Sequence, residues 1–231
     1  MALALYSHPL ASFCHKVLIA LYENGTPFTG HVVDLADKDA KAAFLDLWPV
    51  GKIPVLHDDD RDRTIPETSI IIEYLDQHYP GPRPLLPNKE SERLEVRLWD
   101  RFFDLYVQVP MGKVVTDRLR ADGEHDLRGV ADARSTLGTA YDMIDRRMAN
   151  RTWVVGERFS LADCAAAPAL FYATIVRPLP ESHEHLAAYF NRLMDRASVK
   201  RVIAEARPYF HLFPYKESIP TRFLHGEPAA N

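Results

Sequence analysis

No helix interior and no central strand passes through the run Pro80-Gly81-Pro82-Arg83-Pro84, followed by Pro87. Proline lacks the backbone N–H and holds φ near one value, so such a run ends whatever element precedes it. A domain boundary is expected there, and the pattern of apolar residues changes across it. On the N-terminal side strands and helices alternate. A period-2 pattern at Leu3 and Leu5 predicts a strand over residues 2–6, and Val17, Leu18 and Leu21 share one face of a helix over 13–23 that Asn24-Gly25 stops. A β-branched run predicts a second strand over 29–33, residues 38–47 read as a weakly patterned helix, and 52–57 with 64–66 as a strand pair. The acidic run between that pair, residues 58–63, is expected to be a solvated hairpin loop. Helical spacing returns over 67–78, with Ile71, Tyr74 and Leu75 on one face. The order β-α-β-α-β-β-α predicts a compact α/β unit over residues 1–80.

After a linker over 81–90, every strong pattern is helical. Leu94, Leu98, Phe102, Leu105 and Val109 recur at spacings of three and four, and so do Val130, Leu137, Tyr141, Ile144 and Met148. Two long helices packed by these stripes are expected. A buried helix from Leu161 and two shorter ones complete an all-helical unit over 91–210, and Pro214 and Pro220 mark an irregular tail over 211–231. The uncharged stretch from Cys164 to Val176 is too short for the roughly 20 residues of a membrane span, and no secretory leader pattern opens the chain. With 47% hydrophobic residues the chain carries enough apolar surface for a sizeable core, and its net charge of −4 offers no basic footprint for nucleic acid or an anionic membrane. The two cysteines, Cys14 and Cys164, are too few for a disulfide framework or a metal cage, which points to a reducing, cytoplasmic setting.

Four short motifs bear on chemistry. In Gly51-Lys52-Ile53-Pro54-Val55-Leu56 a proline stands at the start of a strand, where the backbone turns and presents an edge, and a cis peptide fits that position. Pro66-Glu67-Thr68-Ser69 opens a helix whose free N–H groups and dipole suit a carboxylate, although Thr68 or Ser69 could equally serve as a simple cap. In Ala11-Ser12-Phe13-Cys14, Ser12 is expected to cap the first helix, with its hydroxyl placed to stabilise a nearby anion, including a thiolate. Ser160-Leu161-Ala162-Asp163 reads as a capping box with a purely structural role.

Taken in order and spacing, these four motifs resemble those of the cytosolic glutathione transferases over nearly the whole chain. The resemblance implies a two-domain protein: a thioredoxin-like α/β N-terminal domain that binds glutathione, then an all-α C-terminal domain that contributes the pocket for an electrophile. It implies that Val55, after Pro54, pairs its backbone with the cysteinyl part of glutathione as an added strand would. By the same likeness Glu67 and Thr68 hold the γ-glutamyl amine and carboxylate, Lys52 the glycyl end, and Ser12 donates its hydroxyl to the sulfur. Donation to the sulfur lowers the thiol pKa, and the thiolate then adds to an electrophilic, partly apolar compound, the chemistry of detoxification. Many serine-type members read Ser-Pro-Phe where this chain has Ala11-Ser12-Phe13, and the zeta class reads Ser-Ser-Cys. Tyr6 and Cys14 are therefore alternative activating groups, the first also suited to packing at a strand end and the second to a core thiol. His8 and His15 flank the same place.

The resemblance further implies glutathione as co-substrate, no metal and a homodimer. Trp99, Phe103, Tyr106 and Met111 are candidates for the electrophile pocket, or else pack between helices, and Phe210, Phe213 and Tyr215 of the tail are candidates to roof it. Two other functions compete with conjugation. One is glutathione-dependent isomerisation, or thiol-disulfide or peroxide reduction, at the same site. The other is a non-catalytic interaction module, which a degraded glutathione site would mark.

Overall fold

The computed structural model describes residues 2–225. Its N-terminal part runs β1 (Leu3–Ser7), α1 (Ser12–Asn24), β2 (Thr29–Val32), α2 (Lys38–Leu47), β3 (Val55–Asp58), β4 (Arg63–Pro66) and α3 (Thr68–His78). These strands form one sheet in the order β2-β1-β3-β4. β1 and β2, joined through α1, are parallel with Tyr6 opposite His31; β3 is antiparallel to both β1 and β4. Gly25 ends α1 in the left-handed region at φ 65°, its N–H returned to the last turn, as the Asn24-Gly25 pair predicts. The hairpin loop after Asp58 is exposed, but Asp58 itself is wholly buried: its carboxylate accepts from the hydroxyls of Tyr74 at 2.5 Å and Tyr79 at 2.7 Å. That carboxylate ties the hairpin to the end of α3.

The second part is helical. α4 (Glu90–Phe102) passes without a break through a π turn (Phe103–Gln108) into α5 (Val109–Asp117), then come α6 (Leu127–Met148), α7 (Leu161–Val176), α8 (Glu184–Met194) and α9 (Ala197–Ala206). The apolar stripe of α6 faces the core as expected: Leu137, Tyr141, Ile144 and Met148 are buried. On α4 the expected stripe faces inward only at Phe102. Leu94 and Leu98 are 69% and 63% exposed, while Val96, Asp100, Phe103 and Val107 are buried. α7 lies at the centre, nearly every residue buried, opened by the predicted box in which Ser160 and Asp163 bond each other's backbones. Burial raises the Asp163 carboxyl to about 6 while Tyr189, Ser160 and the Val154 N–H hold its oxygens.

Up to residue 225 the tail is ordered helical turns, the last of them α10 (Thr221–Leu224). Phe210 and Phe223 flank Phe171, and Phe213 packs on Tyr172. Apolar burial overrides the proline-rich character on which an irregular tail was expected. Residues 226–231 of that tail lie outside the described residues. Among the described residues no helix is long and apolar enough to cross a membrane.

Candidate glutathione site

A cavity of about 180 Å³ opens where the two parts meet, lined by Phe13, Trp48, Lys52, Ile53, Pro54, Glu67, Thr68, Arg101, Asp104, Leu105 and Val109. The chain reaches it at three places in the α/β unit and along one face of the α4–α5 helix. Lys52, Pro54, Glu67 and Thr68, named from the sequence, converge here. The Ile53-Pro54 peptide is cis.

Val55 does not share this surface. It is fully buried in β3, opposite Tyr6 of β1 and Pro66 of β4, so a neighbouring strand lies on each side of it. The edge that the sequence places at Val55 is instead at Ile53, which precedes β3, lines the cavity and makes no backbone hydrogen bond among the described residues. The signal was present in the sequence: a strand that starts after Pro54 leaves the residue before the proline unpaired.

Glu67 holds φ at +67°, a conformation that a side-chain-bearing residue adopts only at a cost of about 1–3 kcal/mol. It occupies the N-cap position of α3, yet neither it nor Thr68 or Ser69 caps the helix with a side chain. The N–H groups of Thr68 and Ser69 thus have no partner among the described residues and can bind an anion, with the helix dipole behind them. Ser69 points away from the cavity and into a buried network. Its hydroxyl donates to Asp100 Oδ2 at 2.6 Å and accepts from Lys16 Nζ at 3.1 Å. Lys16, only 1% exposed, also lies 2.6 Å from Asp100 Oδ1 and 2.8 Å from Asp104 Oδ2, and Arg101 reaches Asp104 Oδ2 at 3.0 Å. Burial pushes the Asp104 carboxyl up, Lys16 pulls it back, and the Asp100 carboxylate adds to the push.

α1 begins differently from the expectation. Its N-cap is Ala11, which has no side chain to offer, and Ser12 is the first helical residue. The N–H groups of Ser12 and Phe13 therefore have no partner among the described residues. The Ser12 hydroxyl, freed from capping, accepts a hydrogen bond from Nε2 of Gln108 at the end of the π turn. Ser12 is buried and does not itself line the cavity; its neighbour Phe13 does.

The flanking groups differ in burial. Cys14 is wholly buried and desolvation pushes its thiol up to about 12. His15 is buried against the Pro9 carbonyl at 2.5 Å and brought down to about 4 by desolvation, so it is neutral at pH 7. Tyr6 stacks on His31 with ring centres 4.9 Å apart. His8 accepts from the Leu10 N–H and packs edge-on against Tyr209. Among the described residues no group of three or more His, Cys, Asp or Glu is placed to hold a metal ion.

None of the four aromatic and methionine candidates for the electrophile pocket lines the cavity. Phe103 and Met111 are core residues, Trp99 packs on Phe102 beneath the Arg147 guanidinium, and Tyr106 is half exposed beside Phe102. Phe13, Leu105 and Val109 supply the apolar wall instead. The π turn accounts for the part of the difference that lies beyond it, at Tyr106 and Met111. A wider turn shifts the phase of every side chain after Phe102 relative to a continuous α-helix, which the 3.6-residue pattern cannot register. Phe210 and Phe213 are likewise buried away from the cavity, and Tyr215 lies under Arg118.

Two family models match the chain, the glutathione S-transferase N-terminal domain over residues 5–83 and its C-terminal domain over 105–197. Among curated relatives, a stringent starvation protein A homolog of Pasteurella multocida is 30% identical over 89% of this chain and 92% of its own length. The glutathione S-transferase GstA of Escherichia coli is 26% identical over 80% of this chain and 90% of its own. A glutathione S-transferase of Methylobacillus flagellatus, solved with glutathione bound, superposes with a TM-score of 0.79 at 27% identity, covering 87% of this chain and 98% of that one. The paired domains, the thioredoxin-like sheet with its cis-Pro54 and the helical half that closes the cavity place this chain in the cytosolic glutathione transferase family.

Proposed function

We propose that the cavity binds glutathione and presents its sulfur, as thiolate, to an electrophilic and partly apolar small molecule. The reading is carried by one observation: Lys52, the unpaired Ile53 backbone before cis-Pro54, the constrained Glu67 and the uncapped start of α3 at Thr68 all face one cavity. In this arrangement Ile53 offers its N–H and C=O to the cysteinyl unit. Glu67 pairs with the γ-glutamyl amine, Thr68 and the start of α3 bind its carboxylate, and Lys52 holds the glycyl carboxylate. The sulfur then lies at the start of α1, where the Ser12 hydroxyl and the free N–H groups favour the ionised form. Thiolate and electrophile meet against Phe13, Leu105 and Val109, and the carbon–sulfur bond forms there without a covalent enzyme intermediate.

A redox function through Cys14 is the weaker reading, because burial holds that thiol protonated and out of reach of substrate. The interaction-module reading draws on relatives such as the stringent starvation protein A homolog, and the polar groups of this cavity argue against it. Leu94 and Leu98, one turn apart and exposed on α4, stand beside the Arg97–Glu73 pair that links α4 to α3, where Ile70 is also exposed. This apolar strip supports a homodimer, and the protein is read as a cytoplasmic enzyme.

Binding to the native state alone is measured by thermal stability. At a free glutathione concentration 100-fold above Kd the expected gain is about 2.7 kcal/mol, a rise of several degrees in Tm, with retention on immobilised glutathione. No shift and no retention would refute the reading in favour of the interaction module.

A further inference from the structure

The Ser12 hydroxyl and the Gln108 amide come from positions 96 residues apart and meet in the buried seam between the two halves of the molecule. A hydroxyl carries one proton and two lone pairs. Gln108 Nε2 occupies one lone pair, and no group among the described residues accepts the Ser12 proton. The other end of the amide, Oε1, is buried with no partner among the described residues. Leaving a buried carbonyl oxygen unpaired costs about 1–3 kcal/mol. The amide is therefore anchored by its donor end alone, an expense that calls for a reason. If the amide were turned over, Oε1 would take the Ser12 proton and leave nothing for a ligand.

We propose that Gln108 is a positioning residue for thiol activation: by donating to Ser12 Oγ it directs the Ser12 O–H toward the sulfur of bound glutathione. This rests on the reading of the cavity as a glutathione site with Ser12 as the activating hydroxyl. The polarity of the relay runs one way, from the amide N–H to the hydroxyl oxygen and from the hydroxyl proton to the thiolate. Donation from Gln108 also makes Ser12 the better donor, since hydrogen bonds in a chain polarise one another. The thiol proton itself leaves to solvent, and no bond within the protein is made or broken. The π turn that carries Gln108 also carries Asp104 and Leu105 of the cavity wall, so one local distortion of the helix serves both parts of the site.

The test is the ionisation of glutathione bound to the full-length protein, followed by thiolate absorbance against pH. The titratable and charged groups on the elements that carry Ser12 and Gln108 are unchanged in every variant: Lys16, His15 and Cys14 on α1, His8 before it, and Asp100, Arg101 and Asp104 on the facing helix and its π turn. Gln108→Met keeps the length and removes both polar groups. It is expected to lower the thiolate fraction at pH 7 about tenfold, because the undirected Ser12 hydroxyl no longer holds its hydrogen bond to the charged sulfur, while leaving Kd for S-methylglutathione unchanged. Gln108→Glu, which accepts the Ser12 proton, lowers it further, and Ser12→Ala combined with Gln108→Met is no worse than Ser12→Ala alone. Circular dichroism and Tm of each variant guard against misfolding, and Gln108→Glu carries the test if Gln108→Met does not fold. Wild-type ionisation in both Gln108 variants, with a loss in Ser12→Ala, overturns the role of Gln108 and leaves Ser12 in place. Wild-type ionisation in Ser12→Ala overturns both roles and assigns the thiolate to the N–H groups of α1. Failure of the wild-type protein to bind S-methylglutathione refutes the glutathione site itself.

Discussion

Glu67 is the residue at which stability and binding are set against each other. Its φ of +67° is tolerated by glycine at no steric cost, so the backbone strain exists because a side chain is present at that position. Glu67→Gly is expected to raise stability by about 1 kcal/mol in a urea or thermal unfolding experiment, the relief of strain outweighing the added freedom of the unfolded chain. The same variant is expected to weaken glutathione binding at least about tenfold, because it removes the partner of the γ-glutamyl amine. A variant that gains stability and binds as before would show that the carboxylate does not touch the ligand. The motif that contains Glu67 is legible in four consecutive letters, as are Lys52 and Pro54. Ile53 was legible too, but only once the start of β3 is known, since a shift of one residue decides which backbone is paired and which is open.

At the scale of elements, Lys16 holds α1, α3 and the α4–π segment together. Its ammonium meets carboxylates from Asp100 and Asp104 and the hydroxyl of Ser69, all out of water. Removal of one partner leaves uncompensated charge in a low-dielectric seam, so Lys16→Ala is expected to destabilise the protein by about 3–5 kcal/mol, read from urea denaturation at pH 7. Because Ser69 follows Thr68 directly, glutathione affinity should fall with it, whereas a surface pair such as Arg128–Asp132 should be worth about 0.5 kcal/mol or less and leave binding untouched. Nothing in the spacing of Lys16, Ser69, Asp100 and Asp104 announces this network. Charged residues in a helical pattern are ordinarily read as solvent-facing, and that reading placed the apolar stripe of α4 inward. The structure turns the helix the other way: two aspartates face the interior because a lysine meets them there.

For the whole molecule, the exposed part of the stripe has a consequence. Leu94, Leu98 and Ile70 are exposed on a single chain, around the Arg97–Glu73 pair that links α4 to α3. A second copy covering this face would bury it by twofold symmetry. Sedimentation of the wild-type protein should give a dimer, and Leu94→Glu with Leu98→Glu a monomer that keeps its helical content; a wild-type monomer at micromolar concentration would remove the basis for this interface. The sequence by itself determined the change from mixed strands and helices to helices alone, the capping box of α7 and the motifs Lys52–Pro54 and Glu67–Thr68. These are local: proline, glycine, capping side chains and the period of apolar residues act within a few residues of themselves. Only the tertiary structure decided that Gln108 meets Ser12, that Lys16 lies between two aspartates, and that Leu105 and Val109 face the cavity. Each depends on how α4 is rotated against α1 and α3. That rotation is set by burial summed over the whole interface, and beyond Phe102 the phase is shifted by the π turn; neither leaves a periodic trace in the chain.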